Sequence, residues 1–124
     1  MPLVRISHPA GVDPNALSEG VHRALVEAFN VPKDDLFHIV TEHASGIIHT
    51  PAYLGISYSD GLVLVQITAN EGRTVAMKKD LYAKIADNLH AGAGVRREDV
   101  VISLVEVKKE NWSFGNGLAQ YAPE

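Results

Sequence analysis

Two stretches of the chain repeat one hydrophobic pattern: a short apolar run, an apolar stripe at helical spacing, then a second apolar run. Residues 3–7 are the first run, a strand candidate at the very start of the chain. Asp13-Pro14 follows and reads as an N-cap with proline at the first helical position. Leu17, Val21, Ala24, Leu25 and Ala28 then recur every three or four residues, so one face of that helix is apolar. Pro32 forbids its continuation. Residues 36–41 are the second strand candidate. In the second half the strand spans residues 62–68, Thr74 is the N-cap, and Met77, Leu81, Ile85 and Leu89 form the stripe. Gly92 and Gly94 stop the helix. Residues 100–107 make the last long strand. Between the halves, residues 43–60 hold Gly46, Pro51 and Gly55, with room for a short strand around residues 54–58. The tail from Glu110 is rich in glycine and aromatics, which suits a short strand or hairpin packed on a neighbour.

The likeness of the halves extends to individual residues. At a constant offset of 64, Val31 matches Val95, Lys33 matches Arg97, Asp34 matches Glu98 and Asp35 matches Asp99. Val40 pairs with Leu104, Glu42 with Glu106, and the helical Leu17 and Leu25 with Leu81 and Leu89. The chain therefore reads as a duplicated β-α-β unit. The expected fold class is α+β: two fused β-α-β repeats forming a four-stranded sheet with both helices on one face. We expect one domain over residues 1–124, with halves at about 1–45 and 60–108 and a tail at 109–124. Helices on one face leave the other uncovered. In so short a chain, the natural cover is another copy of the chain.

Composition narrows the function classes. An apolar fraction of 46% and a charged fraction of 21% are ordinary for a globular protein. The absence of cysteine removes disulfides, thiolate metal sites and a cysteine nucleophile. A net charge of −4 gives no reason to expect nucleic acid or an anionic membrane as partner. The start shows no secretory pattern, and no run approaches a membrane span, so a cytoplasmic location is expected.

Several residues are candidates for chemistry. Pro2 follows the initiator methionine, whose removal leaves a secondary amine on the first strand. A chain-terminal amine titrates at about 7.7–8.0. Apolar burial or a nearby guanidinium lowers that value, which suits a group that takes and returns a proton in one turnover. Arg73, in Asn70-Glu-Gly-Arg-Thr74, sits at a strand–helix junction and offers a planar fork for a carboxylate or enolate oxygen. A solvated loop arginine is the plainer alternative. Asp34 and Asp35 can orient water or tune a neighbour, or can serve simply as turn residues. Glu98-Asp99 in the matching turn favours the second view. The six histidines match no ligand spacing, and no metal or cofactor is expected. Trp112-Ser-Phe-Gly-Asn-Gly117 suits an apolar pocket wall or a subunit contact.

Together these pieces resemble the tautomerase superfamily, with its tautomerase/MIF-like fold and 4-oxalocrotonate tautomerase as minimal unit. The resemblance rests on Pro2-Leu-Val-Arg-Ile6, the duplicated unit, and Glu71-Gly-Arg-Thr74 before the second helix. It is closest to the fused-repeat branch containing malonate semialdehyde decarboxylase, through Trp112-Ser-Phe-Gly115, Gly117 and Ala119-Gln120. The resemblance implies an amino-terminal proline as acid–base centre, an arginine holding a substrate carboxylate, and a homotrimer. On this chain those roles fall to Pro2 and Arg73 as catalytic residues. Asp35 matches the aspartate beside the proline, and Trp112 and Phe114 match the apolar wall that binds substrate. Where the decarboxylase pattern has a second arginine, this chain has Glu71, and where the dehalogenase branch has one it has Asn70. A carboxylate there repels an acidic substrate. The expected reaction is therefore the simplest of the superfamily, keto–enol isomerisation of a small 2-oxo acid without a cofactor. A decarboxylase- or hydratase-like enzyme is one alternative. A non-catalytic trimeric binding protein that keeps Met1 is the other.

Overall fold

The computed structural model describes residues 1–123. Strand β1 (Leu3–Pro9) leads into helix α1 (Pro14–Phe29) and strand β2 (His38–His43). A hairpin of two short strands, β3 (Ala52–Tyr53) and β4 (Ile56–Ser57), interrupts the chain before β5 (Val63–Asn70). Helix α2 (Val75–Ala93) and strand β6 (Val100–Val107) complete the second half. Within each half the two strands are parallel, and the halves join through antiparallel β1 and β5, giving the sheet order β2-β1-β5-β6.

The caps behave as the sequence predicts. Asp13 accepts from the Asn15 amide at 3.0 Å, and Thr74 accepts from the Met77 amide at 3.2 Å. Helix α1 stops at Asn30, left-handed at φ 56°, before Pro32 is reached. Helix α2 runs through Gly92, and Gly94 caps it at φ 70°. The apolar stripes of both helices are buried against one face of the sheet. Leu17, Val21, Leu25, Leu81, Ile85 and Leu89 meet Val4, Ile6, Val63, Val65 and Ile67 there.

The strand boundaries and the tail differ from the periodicity, and β1 runs on from residue 7 to Pro9. The second strand begins at His38, opposite Val4, rather than at residue 36, because the next donor back from Val4 on that edge is Pro2, which has no backbone N–H. Strand β5 runs to Asn70 rather than stopping at residue 68, because β6 supplies a partner that far, pairing Val107 with Asn70. The tail forms a short 3-10 turn at Lys109–Asn111 and further turns, and no strand among the described residues. Gly115, Asn116 and Gly117 all carry positive φ, which breaks the extended backbone that a ladder needs.

Strand register also sets what faces away from the helices. Leu3, Arg5 and Ser7 of β1 lie on that open side, with Ile39 and Thr41 of β2 and Leu64 and Gln66 of β5. Ile39 is 44% exposed, Leu64 40% and Val105 39%.

Candidate active site

The site follows from register. Val4 pairs with His38, and the amide of Val4 donates to the carbonyl of Phe37 at 2.9 Å. Continuing that parallel ladder backward brings Asp35 level with Met1. Leu3 pairs with Thr68, so the antiparallel ladder brings Ala69 level with Pro2 and Asn70 level with Met1. Asn70 in turn pairs with Val107. One rung of the sheet therefore carries Asp35, residue 1, Asn70 and Val107. By strand alternation, the side chains of this rung are on the open side.

The side chains bear this out at the amino terminus. The Met1 ammonium lies 3.7 Å from Asp35 Oδ2, and the Asp35 side chain is only 22% exposed. Pro2, the next residue, is buried. A cleft of about 480 Å³ opens here, lined by Met1, Asp34, Asp35, Phe37 and Phe114, with Gln120 and Tyr121 from the tail.

The aromatic wall comes from the end of the chain. The Trp112 and Phe114 rings stack at 5.8 Å with 17° between planes, and Tyr121 meets Phe114 edge-on at 5.1 Å. Gln120 holds the tail on itself: its side-chain oxygen accepts from the Phe114 amide at 3.0 Å, and its amide nitrogen donates to the Gly115 carbonyl at 3.1 Å. The indole N–H of Trp112 donates to Asn70 Oδ1 at 2.7 Å, fastening the wall to the end of β5.

Arg73 lies in the turn after that strand. Its guanidinium donates to the Asn70 carbonyl at 3.0 Å and sits 4.9 Å above the Phe29 ring. Among the described residues no carboxylate is within salt-bridge distance of it. Arg73 does not line the cleft. Its link to the cleft runs through Asn70, Trp112 and Phe114.

The structure thus groups Asp35, Phe114 and the amino terminus around one opening, with Trp112 behind Phe114 and Arg73 one hydrogen bond beyond Asn70. Phe37, Gln120 and Tyr121 lie outside the sequence candidates. They come to the cleft through strand pairing and tail folding, which leave no local periodicity. The histidines do other work. His38 and Ser18 are hydrogen-bonded at 2.8 Å, and His22 meets the His38 ring edge-on. No group of three or more His, Asp or Glu side chains is arranged to hold a metal among the described residues.

Comparison with known proteins identifies the family. A family model described as "Tautomerase enzyme" matches residues 35–115, and a second model of the same description matches residues 2–48. The chain belongs to the tautomerase family. Within the family it is 40% identical to "Probable tautomerase YusQ" of Bacillus subtilis (strain 168), over 97% of this chain and 98% of that one. Among solved structures it resembles FG41 malonate semialdehyde decarboxylase inhibited by 3-bromopropiolate. The TM-score is 0.88 and the identity 36%, over 96% of this chain and 93% of that one. A symmetric trimer of a fused 4-oxalocrotonate tautomerase ("fused 4-OT") shares the fold at a TM-score of 0.76 and 24% identity, over 94% of both chains. This tautomerase-family chain accordingly has the fold of an enzyme superfamily, with two helices on a mixed four-stranded sheet.

Proposed function

We propose that the chain is an isomerase that interconverts the enol and keto forms of a small 2-oxo acid, with the amino-terminal amine of Pro2 carrying the proton. The observation that supports this most directly is the rung itself: a carboxylate 3.7 Å from the chain's terminal nitrogen, at the mouth of a cleft with an aromatic wall. Once Met1 is removed, the secondary amine of Pro2 becomes the terminal nitrogen. The substrate's enol hydroxyl gives its proton to that amine, and the resulting ammonium returns a proton to the neighbouring carbon. No net charge or atom is gained. Asp35 positions the amine or a water. The substrate carboxylate reaches past the cleft lining, beyond Asn70, to Arg73, a guanidinium that lacks a carboxylate partner among the described residues. Trp112 and Phe114 exclude water, which keeps the amine neutral and strengthens the contacts to the anion.

A homotrimer is the proposed assembly, supported by the exposed apolar side chains on the open sheet face and by the likeness to the fused trimer.

A second reading has its own support. Asp35 beside the amine, together with the likeness to a malonate semialdehyde decarboxylase, favours a hydratase or decarboxylase acting on a three-carbon oxo acid.

The first test is intact mass. Protein lacking Met1, with phenylpyruvate tautomerisation that falls at least about a hundredfold in Pro2→Ala, fits the role of an acid–base group. Full activity in Pro2→Ala, or in protein that keeps Met1, removes the amine from the mechanism. Retained Met1 with no activity at all returns the chain to the class of binding proteins.

A further inference from the structure

We propose that Asn70 binds the substrate directly, donating its carboxamide N–H groups to a substrate oxygen beside the terminal amine; this rests on the 2-oxo acid reading above.

Three observations converge on this residue. First, register sets Asn70 on the same rung as residue 1 and Asp35, on the same side of the sheet. Directly opposed residues of an antiparallel pair have Cβ atoms about 4.5–5.5 Å apart, so its side chain stands opposite residue 1, whose carbonyl carbon is bonded to the Pro2 nitrogen. Second, the orientation of the carboxamide is fixed by chemistry. An indole nitrogen only donates, so the atom 2.7 Å from Trp112 Nε1 is the carboxamide oxygen. The amino group is therefore turned away from the indole. Its two N–H donors make no hydrogen bond to another described residue, and the half-buried side chain leaves them open to a ligand. Third, the backbone carbonyl of the same residue accepts from Arg73. One residue thus holds the guanidinium with its main chain and the aromatic wall with its side-chain oxygen, while two donors remain unspent.

The chemistry of a 2-oxo acid suits that arrangement. Its carboxylate and adjacent carbonyl oxygen present acceptors a few ångströms apart. A guanidinium takes one oxygen well and a neutral amide N–H suits the other. An amide donor also leaves the local charge unchanged, so it does not compete with the amine for the proton. Glu71, the following residue, turns its backbone away into the ladder by donating its amide to the Val107 carbonyl at 2.9 Å.

Two variants separate direct binding from support of the wall. Asn70→Ala and Trp112→Phe both remove the indole–carboxamide bond, and only Asn70→Ala removes the N–H donors. Binding of phenylpyruvate is read by titration calorimetry in the full-length chain. Because binding needs no turnover, Pro2→Ala keeps it, and failure of the proton-transfer reading is distinguishable from failure of this one. The expected result is a loss of affinity of about tenfold or more in Asn70→Ala and a clearly smaller loss in Trp112→Phe. Should Asn70→Ala not fold, Asn70→Gly with the same comparison replaces it. Equal losses in the two variants, wild-type affinity in Asn70→Ala, or no binding by the wild-type chain each overturn the proposal.

Discussion

Asp35 and Asp99 close the same turn in the two halves and meet different company. Each donates its amide to the carbonyl three residues back, Asp35 to Pro32 at 3.0 Å and Asp99 to Arg96 at 2.9 Å. The Asp99 side chain is then sealed, 2% exposed, by the hydroxyl and amide of Ser59 and the guanidinium of Arg96. Burial alone pushes its carboxyl up, but the bonds from Ser59 and Arg96 outweigh that and hold it below the usual range. A carboxylate held low in the native state stabilises it above the unfolded value near 3.9, and the contribution is lost as pH falls through the lower native value. Asp99→Asn is therefore expected to lower stability by about 1–3 kcal/mol at pH 7 in urea unfolding. The gap to wild type should close below about pH 4. Asp35 has no such enclosure: its side chain is 22% exposed and its ion-pair partner among the described residues is the Met1 ammonium at 3.7 Å. Asp35→Asn should leave the unfolding midpoint nearly unchanged. It should spare tautomerisation of phenylpyruvate while abolishing any hydration or decarboxylation of a three-carbon oxo acid. A parallel fall in tautomerisation shows that the carboxylate serves the proton transfer itself.

At the scale of elements, helix α1 meets the edge strand β2 through polar as well as apolar groups. Ser18 of the helix and His38 of the strand are hydrogen-bonded, and His22 of the same helix stands edge-on to His38. Burial, reinforced by the neighbouring His22, lowers the His38 imidazole to about 4. The native state thus resists a proton that the unfolded chain takes near 6.5. Stability is full above that value and falls as pH drops from about 6.5 through about 4. Urea midpoints measured across this window should fall in the wild-type chain and flatten in His38→Gln; equal slopes place the acid sensitivity elsewhere. The same strand marks where local patterning stops being enough. Leu36 and Phe37 continue the apolar run that ends in Val40, yet they stay outside the strand because the next donor back along the ladder from Val4 is Pro2, which has no backbone N–H. The helices, by contrast, were legible from Asp13, Thr74 and the leucine stripes, because caps and helical faces are set within a few residues. Pro2, Asp35, Arg73, Trp112 and Phe114 were legible as candidates through position and resemblance. Asn70 was met only as a departure from a pattern. Its place on the rung depends on β1 meeting β5, which sets Asn70 level with residue 1 across 69 positions of chain, and no window of sequence contains that.

For the whole molecule, the open face of the sheet decides both assembly and access to the cleft. Ile39, Leu64 and Val105 leave substantial apolar surface there, and β2 and β6 are both unpaired edges. Arg5 stands among them, opposite Ile39 on one side and Gln66 on the other. A covering surface must therefore be apolar over Ile39 and Leu64 and must offer an acceptor to Arg5, a mixed demand that a lipid tail or a purely apolar ligand does not meet. A second copy of the chain does, since edges and face recur in every copy. The rung of Asp35, residue 1 and Asn70 opens on this same side, so in the proposed trimer the neighbour over the sheet also walls the cleft. The proposed trimer predicts that the wild-type chain sediments as a trimer and that Ile39→Glu combined with Leu64→Glu yields monomers by sedimentation velocity. Far-ultraviolet circular dichroism should stay unchanged, because neither side chain enters the helix-facing core. Tautomerisation should fall with the trimer, although every proposed catalytic group remains in place. A monomeric variant of full activity shows that each cleft is complete within one chain, and a wild-type monomer removes the assembly altogether.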